Sequence, residues 1–274
     1  MKHWFITGTS SGLGLIMTRK LLERGDRVVA GARRTEALAD LVEQHGDRLK
    51  LARFDITDTA ALRHAAKAAF DDLGRIDVVV SNAGYGLFGA GEEVSDAQIE
   101  RQIATNLVGS IQLIRAVLPR LRAQGGGRIL QVSSEGGQIA YPNFSVYHAT
   151  KWGIEGFVEA IAQETAPFGI DFVIVEPGPT KTGFGAGLDH AAQLDIYDAT
   201  PAGDVRRAIV SGAFAIKGDA ERTVDAMIAA ADAERAVSRL TLGSSAFANI
   251  ETALTKRLDV LRAHRDISYS ADGQ

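Results

Sequence analysis

The chain has 274 residues, a net charge of −4 and no cysteine, which excludes disulfides, thiolate metal sites and cysteine nucleophiles. Apolar residues make up 46%, enough for a substantial core and too many for a disordered chain. The 30 basic and 34 acidic residues are interspersed, which argues against a nucleic-acid binder.

Apolar periodicity then alternates strands with helices. Lys2 to Thr7 reads as a strand, too short to be a signal-peptide core, and Leu13 to Arg24 as a helix with Leu13, Met17, Leu21 and Leu22 on one face. Arg27 to Ala32 is a second strand, Glu36 to Gln44 a helix, and Leu49 to Phe54 a third strand. Thr57 or Asp58 caps a helix running to about Leu73. Ile76 to Ser81 is a continuous apolar run of the kind covered on both faces. Ser95 and Gln98 form a capping box for one long helix ending near Ala123, with Pro119 bending its last turn. A glycine turn leads to a fifth strand, Arg128 to Ser133, then a helix over about Ser145 to Phe168 and a sixth strand, Ile170 to Val175. Residues 178–215 pattern weakly; a helix near Ala220 to Ala236, a strand at Arg239 to Leu242 and a helix near Ser245 to Arg265 follow. The alternation predicts an α/β fold, a doubly wound parallel sheet with helices on both faces. No run reaches the ~18 apolar residues of a membrane span, so a cytoplasmic protein without membrane partners is expected.

Thr7-Gly8-Thr9-Ser10-Ser11-Gly12-Leu13-Gly14 lies where a doubly wound sheet binds dinucleotides. Glycines there let the backbone approach a pyrophosphate, and the helix start favours the anion. Further motifs follow in order: Asn106 in "IATNLVG", Ser134 in "ILQVSSEGG", Tyr147-His148-Ala149-Thr150-Lys151 on the long helix, and Pro177-Gly178-Pro179-Thr180-Lys181-Thr182 after the sixth strand. The i, i+4 spacing puts Tyr147 and Lys151 on one helix face. With Asn82-Ala83-Gly84 after the fourth strand and the glycine spacing TGxxxGxG, these segments resemble the classical branch of the short-chain dehydrogenase/reductase family from Gly8 to Thr182.

The resemblance implies a Rossmann-type fold over residues 1–274, a single domain with 178–215 as a substrate-binding elaboration. It implies a catalytic set of Asn106, Ser134, Tyr147 and Lys151, in which Lys151 lowers the Tyr147 pKa toward the working range, Ser134 bonds the substrate oxygen, and Asn106 supports a water that links Lys151 to solvent. Ser133 is the adjacent competitor, and the spacing to the tyrosine favours Ser134. Cofactor contacts are expected from Gly8, Ser10, Ser11, Gly12, Leu13, Gly14, Asp55, Ile56, Asn82, Ala83, Gly84, Tyr147, Lys151, Pro177, Gly178, Thr180 and Thr182. The second strand ends at Ala32, without the acid that would bond a ribose hydroxyl and repel a 2′-phosphate; Arg33 and Arg34 follow, so NADP(H) is expected over NAD(H). His148 is expected to be structural, and no metal is expected.

Family members shape the substrate site with three loops. Here these offer Gln138, Tyr141, Asn143 and Phe144; Tyr85, Leu87 and Phe88; and Phe184, Leu188, Tyr197 and Phe214. That set suits a small hydrophobic carbonyl compound or its alcohol, and 178–215 is expected to be a lid that is mobile until substrate binds. Glu176, ending an apolar strand, has no local explanation. The expected activity is that of a carbonyl reductase or alcohol dehydrogenase. The alternatives are an epimerase or dehydratase, against which the glycine spacing counts, and a non-catalytic NADP sensor, against which the intact Tyr/Lys pair counts. A homodimer or homotetramer pairing through the two long helices is expected by the same resemblance.

Overall fold

The computed structural model describes residues 1–213 and 216–273. The chain runs β1 (His3–Thr7), α1 (Gly12–Glu23), β2 (Arg27–Ala32), α2 (Ala39–His45), β3 (Leu49–Arg53), α3 (Thr59–Leu73), β4 (Val78–Ser81), β5 (Leu87–Phe88), α4 (Asp96–Ile103), α5 (Ser110–Ala123), β6 (Gly127–Val132), α6 (Ser145–Thr165), β7 (Ile170–Pro177), β8 (Asp189–His190), α7 (Pro201–Val210), α8 (Ala220–Asp232), β9 (Arg239–Leu242), α9 (Ser244–Ala263) and α10 (Arg265–Ser270). Seven strands form one parallel sheet in the order β3-β2-β1-β4-β6-β7-β9. The order in which strands are added reverses between β1 and β4, and the crevice at their carboxyl ends is where such sheets take ligands.

Both faces of the sheet are covered because successive strand side chains point to opposite sides. Phe5, Val79, Ile129 and Ile174 pack under Leu62, Phe70, Leu113, Val117, Ile154 and Val158 of α3, α5 and α6. Trp4, Ile6, Val80, Leu130 and Val173 pack under Met17, Leu21, Val224 and Met227 of α1 and α8. The β4 ladder starts at Val78 rather than Ile76, because the Gln124 side chain, not a neighbouring strand, takes both the Ile76 N–H (3.2 Å) and its carbonyl (2.7 Å). The eighth helix ends at Asp232, short of Ala236. There Arg128 donates to the carbonyls of Ala230 (2.9 Å), Ala231 (3.1 Å) and Ala233 (2.6 Å), a cation at a helix C-terminus.

Two departures bear on the site. The single helix expected up to Ala123 is broken by a wide π-turn, Ala104–Gly109, between α4 and α5. Gly109 is pressed onto Ile56 there: a Cβ would lie 2.8 Å from Ile56 Cγ1. Such turns recur at functional sites, and this one carries Asn106. Second, the weakly patterned segment after Pro177 makes defined contacts with the rest of the chain. Its β8 pairs with β5, and Asp189 accepts from Gln98 (3.0 Å) and pairs with Arg101. The buried Glu93 carboxylate accepts from the N–H groups of Ala90 (2.7 Å) and Leu194 (2.8 Å) and from Arg206 of α7. Thr200 caps α7 and Pro201 occupies its first turn, a pairing that marks a helix start in the sequence. Phe214 lies outside the described residues.

Candidate active site

The crevice begins at the end of β1. Gly8 has φ +72°, and a Cβ there would lie 2.8 Å from Ala83 Cα, so the turn and the loop after β4 can touch only through glycine. A Cβ on Gly14 would lie 2.3 Å from the Gly8 carbonyl oxygen. Asn82 Nδ2 donates to the carbonyls of Thr7 (3.0 Å) and Gly8 (3.1 Å), while Thr7 Oγ1 accepts from the N–H groups of Asn82 (3.1 Å) and Ala83 (3.2 Å). Asn82 therefore braces the glycine turn. Ser11 precedes α1 in extended conformation and makes no side-chain cap. The N–H groups of Gly12, Leu13 and Gly14 at the helix start thus remain for an anion, with Ser10 beside them. Across from Gly12, the atom nearest a Cβ built there is Thr182 Cβ, at 3.8 Å. An open cradle at Gly12 and an uncapped helix start fit a dinucleotide.

At the far end of the crevice, exposed Arg33 and Arg34 follow β2. Arg33 lies 3.7 Å from Asp55, which also accepts from the N–H (2.9 Å) and hydroxyl (2.8 Å) of Thr57. Burial pushes the Asp55 carboxyl up, but the Thr57 bonds and Arg33 outweigh it and hold the group below the ordinary carboxylate range. Asp58, not Thr57, caps α3. Ile56 is buried under the π-turn.

Tyr147 and Lys151 lie on one face of α6 and are both buried; Lys151 Nζ is 5.6 Å from the Tyr147 ring centroid and donates to the Val132 carbonyl at 3.1 Å. Ser134, just past β6, accepts from the Gly136 N–H at 3.1 Å and lies beside Tyr147, where it favours the ionised hydroxyl. Its neighbour Ser133 donates instead to Glu155 at 2.5 Å. In the chain by itself burial governs both titrations. The Tyr147 hydroxyl is pushed up to about 12, Ser134 opposing and Glu135 adding, and Lys151 is pulled down to about 8 against Glu155. The expected lowering of Tyr147 by Lys151 is not what the protein groups produce on their own. Asn106 is buried in the π-turn, its Oδ1 accepting from the Tyr85 N–H (3.1 Å) and its Nδ2 donating to the Tyr85 carbonyl (2.8 Å). Its side chain pins the loop after β4 beside Gly84, where a Cβ would meet Asn106 Oδ1 at 3.1 Å. His148 donates to or accepts from its neighbours only within the fold: Nδ1 faces the Gly136 carbonyl (2.9 Å) and Nε2 accepts from the Tyr141 N–H (3.3 Å).

After β7, which ends at Pro177, Gly178 packs against Ala246 of α9, Thr180 Oγ1 turns back to the Gly178 carbonyl (2.8 Å), and Thr182 Oγ1 accepts from the Phe184 N–H (3.2 Å). Thr182, not Thr180, faces the glycine turn. Phe184 packs edge-on to Tyr147 at 5.9 Å, Phe144 at 6.0 Å, and Phe144 in turn meets Phe88 and Tyr141. Two residues expected in this wall serve elsewhere. Asn143 is buried at φ 69° and donates to the Ala202 carbonyl (2.8 Å), fastening α7, and the Tyr197 hydroxyl donates to Glu92 at 2.7 Å. Sequence reasoning missed Glu135, which is buried next to Ser134 and accepts from Asn249 at 3.2 Å, and Glu155, whose i, i+4 relation to Lys151 was the available signal.

The short chain dehydrogenase family model matches residues 2–193. The oxidoreductase BOA17 of Botryotinia fuckeliana is 41% identical over 201 residues, 73% of each chain. The crystal structure of a short-chain dehydrogenase from Streptomyces avermitilis superposes with a TM-score of 0.92 at 35% identity, covering 99% of both chains. A closed form of serine dehydrogenase complexed with NADP+ superposes with a TM-score of 0.75 at 25% identity, covering 88% of this chain and 94% of that one.

Proposed function

This chain belongs to the short-chain dehydrogenase family, an oxidoreductase with a nicotinamide-cofactor fold, and on that premise we propose that it interconverts a hydrophobic ketone or aldehyde and its alcohol with NADP(H), Tyr147 serving as acid/base. The observation that carries this reading is the meeting of Ser134, Tyr147 and Lys151 in one buried, aromatic-walled site linked through Phe184 and Thr182 to the glycine turn. When bound, the nicotinamide supplies hydride to the carbonyl carbon or takes it back from the alcohol. The Tyr147 hydroxyl delivers the proton to the substrate oxygen, and the Ser134 hydroxyl bonds that oxygen as charge develops on it. The Lys151 ammonium favours the phenolate that remains. Gly8, Gly12, Gly14 and the start of α1 would hold the pyrophosphate, and Thr182 the nicotinamide end.

Preference for NADP(H) rests on Arg33 and Arg34 and on the absence of an acid at Ala32. A guanidinium pairs with a 2′-phosphate that a carboxylate would repel, and the similar serine dehydrogenase holds NADP+. We place the protein in the cytoplasm as a homodimer or homotetramer; among the described residues no helix is long and apolar enough to cross a membrane.

The test is oxidation of NADPH and NADH, followed by absorbance, across a panel of hydrophobic ketones and aldehydes. NADPH turnover that falls about 10²–10⁴-fold in Tyr147→Phe is expected, with Arg33→Ala raising KM for NADPH far more than for NADH. Equal activity of Tyr147→Phe, or a preference for NADH, would overturn the corresponding part.

A further inference from the structure

Behind the catalytic pair lies a buried charge cluster that the proposed reaction does not use. Glu155 follows Lys151 by one turn on the same face of α6. One carboxylate oxygen accepts from Ser133 at 2.5 Å and the other from Arg239 of β9 at 2.6 Å. The same guanidinium bonds Glu176 of β7 and reaches Glu159 at 2.6 Å, and Glu176 also accepts from Gln138 (3.1 Å) and Thr241 (2.8 Å). Glu155 and Glu176 have side chains 4% and 1% exposed, so little water screens them. Gly137 is shaped to this arrangement: a Cβ there would lie 1.7 Å from Glu155 Oε1.

Three carboxylates surround one guanidinium, and Glu155 stands one helical turn from Lys151 on the same face of α6; burial pushes the Glu155 carboxyl up, while Arg239 and the Ser133 hydroxyl favour its charged form. At the same time Glu155 holds Ser133, the residue joined directly to Ser134 and to Val132, whose carbonyl takes the Lys151 ammonium. We propose that Glu155, set by Arg239 and Glu176, is a positioning residue that supplies the counter-charge to Lys151 and pins the strand end carrying Ser134. The role rests on the oxidoreductase reading, but the electrostatic link to Lys151 is measurable without the reaction. The other titratable groups near it are Tyr147, His148 and Glu159 on α6 and Glu135 after β6. Among the described residues, no ion pair or hydrogen bond from α4, α5 or the π-turn reaches Lys151 or Glu155. Burial pulls the Lys151 amine down and Glu155 opposes it, so removing the carboxylate charge lets the amine fall further.

Glu155→Gln keeps the size and an acceptor for Ser133 while removing the charge, and Ser133→Ala removes the bond while keeping the charge. Lysine side-chain NMR of the cofactor-free protein, with Lys151→Met for assignment, reads the titration directly. In Glu155→Gln the Lys151 titration is expected to move down by about one pH unit, with the alkaline limb of the carbonyl-reduction profile moving the same way, while Ser133→Ala stays near wild type. An unchanged titration in Glu155→Gln, or an equal shift in Ser133→Ala, would refute the proposal. Wild type inactive on every carbonyl would defeat the functional reading instead, leaving the NMR result to decide the link. Thermal unfolding of each variant confirms that the fold is intact.

Discussion

Gly137 and Glu155 are a matched pair: the carboxylate occupies the volume of the missing Cβ. Gly137→Ala forces one or the other to move, an overpacking that costs about 1–3 kcal/mol, read as a lowered urea midpoint. Because Glu155→Ala vacates that volume, the double variant is expected to be less destabilised than the two single losses added together. An additive double variant would show that the contact is not the cause. Other residues carry their reason locally. Gly8 and Gly14 are fixed by close backbone approach, so their need for glycine is legible in a TGxxxGxG string. Asn106 is not: its amide bonds the backbone of Tyr85, which a helix pattern in "IATNLVG" gives no means of foreseeing.

Among the elements, α7 is held by buried polar groups from distant parts of the chain. It is fastened by Arg206 to Glu93, both buried, and by Asn143 to Ala202. Burial pushes the Glu93 carboxyl up, but the Leu194 and Ala90 N–H groups with Arg206 together hold it below its usual value. A depressed carboxylate contributes stability above its unfolded pKa and loses it as pH falls through the folded value. Hydrogen exchange over 195–210 is therefore expected to quicken at acid pH, below the free-carboxylate range, before the sheet opens. Arg206→Met leaves Glu93 buried without its cation, a loss on the order of 3–5 kcal/mol; it should raise exchange in the same segment at neutral pH and raise KM for substrate. Exchange that stays slow in that variant would mean the ion pair does not hold α7. The Thr200-Pro201 start of this helix is written in the sequence, whereas its anchors come from residues 93 and 143, far away in the chain.

At the scale of the whole molecule, the helices on one face leave Val108, Trp152 and Phe168 partly exposed, and a second copy covering α5 and α6 would bury them. Sedimentation is expected to give a dimer or tetramer, and Val108→Arg, a charge placed on that face, to shift it toward the monomer; a wild-type monomer would rule the assembly out. The sequence by itself determined the strand–helix alternation, the capped helix starts, the glycine turn and the Tyr147–Lys151 face, because each depends on periodicity or backbone geometry within a few residues. It also flagged Glu176 without explaining it. Only the tertiary structure decided that Ser133 bonds Glu155, where the long helix opens into a π-turn, that Asp189, Leu194 and Arg206 bond the body, and that Glu155, Glu176 and Arg239 meet one helical turn from Lys151. Those groups come from α6, β7 and β9, with Arg239 84 positions beyond Glu155 in the chain. Burial then sets their charge states, and burial belongs to the packed sheet rather than to any local run of residues.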